Sequence, residues 1–409
     1  MKYCLLGEKL SHSYSKEIHT LNGFNYSLKE IERENLKSFF ENNDFSGFNV
    51  TIPYKQEVKK YLTFISEEAE KIGSVNTVIK TPDGYYGYNT DILGMEYALL
   101  SKGVSLTHKN VVILGSGGTG KTATFLAQKQ SAKSINVVSR TGDINYSDCY
   151  EKLTDTEIII NTTPVGMFPK TDVSPIDISR FKKLEFVFDC VYNPIKTKLI
   201  SEAERLNIKS ENGLKMLVAQ ALFSESIWKG EKADLKGIEK TYKTLIKDKQ
   251  NIVLYGMPSC GKTSVGKMLA KKLSRQFIDT DAIITEEQKS SPSEIIAKFG
   301  EEKFREIESE AVKKFSCFNG AVISVGGGAV LKKENVFYLK QNGVLFYIDR
   351  NIHLLIDTDR PLSKAKGIEG LYNERKDVYN KIQDYKVMNN SLIEDCVKEI
   401  IDIYENTCD

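Results

Sequence analysis

Two strings in this chain have the residue types and spacing that hold phosphate: Gly115-Ser116-Gly117-Gly118-Thr119-Gly120-Lys121-Thr122 and Gly256-Met257-Pro258-Ser259-Cys260-Gly261-Lys262-Thr263. Each follows an apolar β-type run, Val111-Val112-Ile113-Leu114 or Ile252-Val253-Leu254-Tyr255, and each opens into sequence able to start a helix. Glycines there let backbone N–H groups converge on an anion at the helix N-terminus, where the dipole favours negative charge. Only downstream chemistry separates the two. The first also reads Gly115-x-Gly117-x-x-Gly120, the spacing that seats a dinucleotide pyrophosphate, and its next β-type run, Ser134 to Val138, ends in Ser139-Arg140-Thr141 about 20 residues on. An acidic side chain at that point would take the ribose diol of NAD. Arg140 instead offers a planar cation that can fork onto the adenosine 2′-phosphate of NADP. Gly115, Gly117, Gly118 and Gly120, with Ser139, Arg140 and Thr141, are therefore read as an NADP(H) site; a surface Arg140 that only caps its strand is the alternative.

The second string has the opposite sequel. A helix from Thr263 to about Leu273 leads into a short strand that ends Phe277-Ile278-Asp279-Thr280-Asp281. The loop from Gly256 through Ser259, Cys260 and Gly261 to Thr263 and Ser264 would cradle the phosphates of ATP. Lys262 would reach the outer two, and the Thr263 hydroxyl would take a place on Mg²⁺. A carboxylate at the end of the neighbouring strand, Asp279 or Asp281, would hold the metal's waters or an acceptor hydroxyl. A helix start that binds nothing is the bland alternative.

Further chemistry precedes the first loop. Asn49-Val50-Thr51-Ile52-Pro53-Tyr54-Lys55 sets a lysine just past a strand stopped by Pro53, and Asn89-Thr90-Asp91 sets a carboxylate before a helix. A Lys–Asp pair can give a proton to the alkoxide formed when hydride adds to a ketone; each residue alone would read as a surface ion. Ser13 and Ser15 could meet the carboxylate of a small acid, or serve only as a turn or helix cap.

The elements that must position these groups are short apolar strands alternating with helical stretches, the pattern of α/β layers. Strands are expected at Tyr3 to Leu6, Gly47 to Thr51, Val75 to Ile79, Val111 to Leu114, Ile135 to Val138, Ile158 to Asn161 and Phe186 to Asp189. An amphipathic helix from Gly213 to Trp228 follows, then a helix carrying Leu235, Ile238, Tyr242 and Leu245 at helical spacing. The polar residues from Lys247 to Asn251 are read as the join to a second domain. A chain of 409 residues exceeds the size at which single cores stop growing. The balance of 57 Lys+Arg against 55 Asp+Glu supplies no global field to recruit nucleic acid or an acidic membrane. Cysteines without paired spacing point to reduced thiols, and the absence of an apolar run near 18 residues points away from a membrane span, so a cytoplasmic protein is expected.

The first 247 residues resemble shikimate dehydrogenase, matching its motifs in order: His12-Ser13-x-Ser15, Asn49-Val50-Thr51-x-Pro53-x-Lys55, Val75-Asn76-Thr77, Asn89-Thr90-Asp91-x-x-Gly94, the glycine loop, Ser139-Arg140-Thr141, Asn161-Thr162-Thr163-Pro164-x-Gly166-Met167, Asp189-x-x-Tyr192-x-Pro194 and Gly213-x-x-Met216-Leu217-Val218-x-Gln220. The resemblance implies a substrate lobe of about 1–93 and 212–247 and a Rossmann NADP lobe of about 94–211. It makes Lys55 and Asp91 the catalytic pair. Ser13, Ser15, Thr51, Asn76, Tyr192 and Gln220 would hold the substrate, while Met167 and Gly213 would line the nicotinamide. Lys121 and Thr122, which make the first loop imitate the second, are expected to solvate a helix start.

Residues 251–409 resemble shikimate kinase, a P-loop domain of the nucleoside-monophosphate-kinase type. Beyond the loop they carry Phe304-Arg305-x-Ile307-Glu308, Val325-Gly326-Gly327-Gly328-Ala329-Val330, Asp359-Arg360-Pro361-Leu362 and Arg375-x-x-x-Tyr379. The resemblance assigns Asp281, Arg305, Arg375 and the backbone at Gly327 and Gly328 to shikimate, Asp279 with Thr263 to the metal, and Arg360 to a lid over the phosphates. Ser259 stands where a loop glycine is common, and the lid around Asp357 to Lys366 is short.

The implied whole is a bifunctional enzyme of aromatic amino-acid biosynthesis that reduces 3-dehydroshikimate with NADPH and then phosphorylates shikimate with Mg-ATP. Its partners would be these small molecules, and it would act as a monomer or homodimer. Two rivals are a kinase-like half that senses without turnover and a first half that acts on quinate with NAD. Cys260, inside the loop, is expected to let thiol alkylation block the kinase, with ATP protecting.

Overall fold

A computed structural model describes residues 1–10, 13–355 and 361–406, the side chains of 361–366 excepted. The chain divides into two compact units, Met1–Leu245 and Ile246–Asp409.

The first unit contains two sheets. One runs through β1 (Tyr3–Gly7), β2 (Tyr26–Glu30), β3 (Gly47–Val50), β4 (Phe64–Ile65), β5 (Thr77–Thr81) and β6 (Gly84–Tyr88) in the spatial order β2-β1-β3-β5-β6-β4. β2, β1 and β3 are parallel, and β5 pairs antiparallel with both β3 and β6. The other sheet is wholly parallel and comprises β7 (Asn110–Leu114), β8 (Ser134–Val138), β9 (Ile158–Asn161), β10 (Phe186–Asp189) and β11 (Lys209–Asn212), in the order β11-β10-β9-β7-β8. β7 shows why an unbroken apolar run marks such a strand. Val111 and Ile113 join one core cluster with Met95, Leu99 and Leu126, whereas Val112 and Leu114 join the cluster on the other face with Leu199 and Ala203. Because β9, not β8, follows on the inner side of β7, the winding reverses between β7 and β9. A crevice opens beyond the carboxyl ends of those two strands, and the first glycine loop and the loop bearing Met167 both lie there.

The second unit is one parallel sheet of β12 (Asn251–Tyr255), β13 (Phe277–Asp279), β14 (Val322–Ser324), β15 (Gly343–Asp349) and β16 (Tyr385–Met388), in the order β13-β14-β12-β15-β16. The second glycine loop leaves its central strand and enters the helix Lys262–Leu273. Among the described residues no helix is long and apolar enough to cross a membrane.

Two sequence expectations change. The strand expected from Val75 starts at Thr77, since the Val75 N–H bonds the Lys55 carbonyl and leaves the ladder to tie down the lysine's turn. The polar join also disappears. The helix Leu235–Lys249 runs almost into β12, leaving only Gln250. Its last carbonyls would otherwise lack partners; Arg275 Nη2 and the Tyr404 hydroxyl reach the Lys247 carbonyl at 2.8 and 2.6 Å, and Arg275 Nη1 reaches that of Gln250 at 3.0 Å.

The first loop depends on close backbone packing. A Cβ at Gly120 would lie 2.2 Å from the Gly115 carbonyl oxygen. Gly120→Ala is therefore expected to force the helix from the strand end, costing about 1–3 kcal/mol and weakening NADPH binding while ATP binding stays as in the wild type. Calorimetric titration of both nucleotides checks this, and unaltered NADPH affinity would refute it.

Candidate active sites

In the first unit, the turn after β3 brings Lys55 back against Asp91, the first residue of the helix Asp91–Ser101. Lys55 Nζ donates to Asp91 Oδ2 at 2.6 Å, with the two side chains 21% and 12% exposed. That is too buried for an ordinary surface pair, and the helix N-terminus further favours the carboxylate. Asn76 Nδ2 donates to the other oxygen, Oδ1, at 2.9 Å. The pair lies in a cavity of about 640 Å³ that Ser13, Ser15, Thr51, Asn76, Tyr192, Gln220, Met167 and Gly213 also line. Ser13 Oγ accepts the Ser15 N–H as well, so its turn role and its place in the cavity coexist. Burial raises the Tyr192 phenol pKa, which keeps the hydroxyl a neutral donor. His12 lies outside the described residues.

The adjoining glycine loop leaves room for a ligand. Gly115 sits at φ +104°, and a Cβ at Gly117 would meet nothing within 4 Å, the open cradle a pyrophosphate needs. Gly118 begins the helix Gly118–Lys129. Ser139 is buried at the end of β8, while Arg140 and Thr141 are exposed there. Gly213 packs so closely that a Cβ would lie 2.1 Å from the Cys190 carbonyl oxygen. The imitation of a triphosphate loop ends at Lys121-Thr122. Lys121 is exposed, but Thr122 is 1% exposed and its hydroxyl donates back to the Gly118 carbonyl at 3.2 Å, so Thr122 does not solvate the helix start as expected.

In the second unit the equivalent threonine is free to work. Thr263 is exposed and its hydroxyl donates to Asp279 Oδ2 at 2.8 Å. This arrangement suits a small hard cation that keeps most of its ligands as water and phosphate oxygens. Lys262 Nζ folds over the loop onto the Gly256 and Met257 carbonyls at 3.1 and 2.9 Å. Ser259, Gly261, Lys262, Thr263 and Ser264 line a cavity of about 360 Å³; a second, of about 440 Å³, is lined by Arg305, Gly327, Gly328 and Arg375, and Thr263, Asp279 and Asp281 border both. Phosphate donor and acceptor would meet at those shared residues. Arg305 is held by Glu308 at 2.7 Å and Glu301 at 2.9 Å, and a Cβ at Gly328 would lie 2.2 Å from its Nη1. Burial opposes its charge, but the two glutamates outweigh burial and raise its pKa. Arg375 is 4% exposed, and its Nε–H is buried without a hydrogen-bond partner among the described residues, a donor in want of an anion. Arg360, assigned to the lid, lies outside the described residues.

Some groups were not singled out from sequence. Glu308 is buried behind Arg305, and burial, opposed by Arg305, pushes its carboxyl up to about 7. Tyr379, quoted only as part of a motif, donates its hydroxyl to the Gly327 carbonyl at 2.5 Å and lies 3.4 Å from that of Gly256. Arg350 lines the loop cavity. The expectation for Cys260 does not hold: it is fully buried, so a thiol reagent does not reach it in the folded chain.

The fold and these sites define, in one chain, a two-lobed dinucleotide-dependent oxidoreductase followed by a P-loop phosphotransferase. Comparison with known proteins gives the families. The shikimate dehydrogenase substrate-binding domain matches residues 5–78, and shikimate kinase matches residues 258–405. Shikimate dehydrogenase (NADP(+)) of Clostridium beijerinckii is 37% identical over 260 residues, covering 59% of this chain and 96% of that protein; that of Methanococcus maripaludis is 36% identical over 269 residues, covering 59% and 96%. A chorismate mutase/shikimate 5-dehydrogenase fusion from Clostridium acetobutylicum superposes with TM-score 0.57 at 38% identity, covering 59% of this chain and 96% of that one. The Thermus thermophilus shikimate 5-dehydrogenase, solved in complex with NADP(H) and shikimate, superposes with TM-score 0.54 at 28% identity, covering 60% and 99%. The chain belongs to the shikimate dehydrogenase family and carries a shikimate kinase domain after it.

Two outcomes follow from the second unit. Glu308 binds its proton more tightly folded than unfolded, its pKa rising from 4.5 to about 7, so its contribution is present at low pH and is lost as pH climbs between those values, on the order of 3 kcal/mol in all. Glu308→Gln should flatten that part of the unfolding-midpoint profile; an unchanged slope would remove the group from the account. Ser259 holds φ +62°, a left-handed conformation costing a non-glycine residue about 1–2 kcal/mol. Ser259→Gly, which relieves it at some cost in chain entropy, is expected to raise the unfolding midpoint of this unit slightly and to tighten ATP binding up to about fivefold; weaker binding would show that the serine hydroxyl matters more than the strain.

Proposed function

We propose that the chain performs two consecutive reactions on one carbon skeleton: reduction of 3-dehydroshikimate to shikimate in the first unit, and phosphorylation of the shikimate 3-hydroxyl in the second. The observation that carries this reading is the Lys55–Asp91 pair, 2.6 Å apart in a cavity ringed by hydroxyl and amide side chains. Those are the groups a polyhydroxylated acid requires, and the family supplies the rest of the argument.

Bound NADPH supplies hydride, and bound Mg-ATP the phosphoryl group. In the first site, with substrate lobe 1–93 and 212–247 and NADP lobe 94–211, the Lys55 ammonium gives its proton to the oxygen that becomes the new hydroxyl. Asp91 aims the ammonium and favours its reprotonation. Ser13 and Ser15 take the substrate carboxylate, while Thr51, Asn76, Tyr192 and Gln220 hold its oxygens. Arg140, beside Ser139 and Thr141, would hold the adenosine 2′-phosphate of NADP(H), and Met167 and Gly213 would line its nicotinamide. In the second site Arg305 and Arg375 fork onto the carboxylate. The backbone at Gly327 and Gly328 supports the ring, and Asp281 takes the proton of the attacking hydroxyl. Thr263 and Asp279 would hold the metal, and Lys262 would leave the loop carbonyls to neutralise charge on the outer phosphates. A cytoplasmic setting fits the cysteines, which among the described residues are all free thiols.

A single assay tests the reading: purified chain, 3-dehydroshikimate, NADPH and Mg-ATP, with NADPH absorbance and ADP release followed together. ADP release that depends on the keto acid is expected. Lys55→Ala should lower reduction at least about a hundredfold and leave phosphorylation of added shikimate intact, whereas Lys262→Ala should do the reverse. Loss of both activities from either substitution would contradict independent sites, and NADPH oxidation without ADP would leave the second unit a binding module.

A further inference from the structure

Behind the Lys55–Asp91 pair lies a set of fully buried hydroxyls. Thr77, Thr90 and Ser224 have no solvent exposure, and their oxygens stand 2.7 Å (Thr77 to Ser224) and 3.0 Å (Thr77 to Thr90, and Thr90 to Ser224) apart. Each hydroxyl has one proton to give, and although Asn76 Oδ1 lies 3.2 Å from both threonine hydroxyls as a competing acceptor, the groups able to act in only one sense favour one set of directions. At one end is the Gln220 carbonyl, which can only accept and lies 2.9 Å from Ser224 Oγ. Ser224 therefore spends its proton there. Its lone pairs then receive Asn49 Nδ2 at 2.9 Å and the nearer threonine hydroxyl, that of Thr77. Thr77, having donated to Ser224, accepts from Thr90, and Thr90 accepts from Asn76 Nδ2 at 3.1 Å. At the other end the Thr90 backbone N–H, which can only donate, lies 2.7 Å from Asn76 Oδ1. The carboxamide is thereby locked with its oxygen toward Thr90 and its NH₂ toward Asp91.

From this directionality we infer that Ser224 and Thr77 are positioning residues for the reduction: through a one-way donor chain, Asn76 to Thr90 to Thr77 to Ser224 to the Gln220 carbonyl, they hold the Asn76 amide as a donor to Asp91 Oδ1. That leaves Oδ2 turned to Lys55. Neither residue lines the cavity, so neither acts on substrate directly. The chain is not a proton wire, because the Asn76 amide between Thr90 and Asp91 does not pass a proton on. Its effect is orientation: removing the last acceptor lets the Thr90 proton turn to Asn76 Oδ1, 3.2 Å away, so the Asn76 N–H that Thr90 had accepted loses its partner and the amide is held less squarely on the carboxylate. Buried networks of this kind lose more than one bond's worth when a member is left unsatisfied.

The inference rests on the dehydrogenase reading above. Ser224→Ala, Thr77→Val and Thr77→Ser, each in the full chain, separate orientation from packing, and shikimate phosphorylation by the same sample reports whether the preparation is sound. Ser224→Ala and Thr77→Val are expected to lower kcat for 3-dehydroshikimate reduction about tenfold, with KM within about twofold and phosphorylation unchanged. Thr77→Ser, which keeps the hydroxyl, should return kcat to near the wild-type value. Wild-type kcat in Ser224→Ala would overturn the inference, as would Thr77→Ser as impaired as Thr77→Val, since packing alone would then explain the loss. A wild-type chain that does not reduce the keto acid would instead sink the reaction reading, and this inference with it.

Discussion

Both halves of the chain turn on one constraint: a buried parallel strand must pass into a helix within a few residues while its backbone N–H groups stay free to face an anion. Side chains get in the way of that turn. At the first loop a Cβ on Gly120 would strike the Gly115 carbonyl, and at the second a Cβ on Gly256 would lie 2.3 Å from the Ile348 carbonyl oxygen. The rest of each unit follows from where that strand is placed. β7 and β12 are internal strands, with neighbours on both sides supplying the walls of the crevice. The residues proposed to discriminate between ligands stand at adjacent strand ends, Arg140 after β8 and Asp279 at the end of β13.

The two copies of the motif differ structurally in the fate of one threonine. Thr122 and Thr263 occupy equivalent positions in strings that match letter for letter at Gly-Lys-Thr. Thr122 is buried and turns its hydroxyl into its own helix; Thr263 is exposed and turns its hydroxyl to Asp279. A hydroxyl already committed to a helix carbonyl is a poor metal ligand. What surrounds the helix, and not the loop itself, makes the choice.

Legibility in sequence followed the same logic. Strands buried on both faces, such as β7, β9 and β12, announce themselves as continuous apolar runs, and the loops after them carry recognisable glycines. β2, β6 and β11 were not legible, because β11 (Lys209–Asn212) is a polar edge strand and β6 reads Gly-Tyr-Tyr-Gly-Tyr, patterns in which period-2 burial leaves little trace. The end of the Leu235–Lys249 helix was hidden for another reason. Its carbonyls are satisfied by Arg275 and Tyr404, which are remote in sequence. Site residues that would touch ligand were readable from their type and neighbours. Glu308 and Thr77 stood only as motif members without a role, and Ser224 not at all, since a buried glutamate behind an arginine, or a serine on an apolar helix face, has no local signature that reveals what it does. Their roles exist only once distant segments meet.

The Tyr379 hydroxyl, set between the carbonyls of Gly327 and Gly256, links the wall of the acceptor cavity to the first residue of the phosphate loop. Its ring packs edge-on against Tyr255 and Tyr347. A ligand that displaced Gly327 would bear on the loop through this hydroxyl. By thermodynamic reciprocity a nucleotide that shifts the loop alters acceptor affinity by the same factor. The acceptor wall and the phosphate loop thus share one phenol, a second connection beside Thr263, Asp279 and Asp281, which border both cavities.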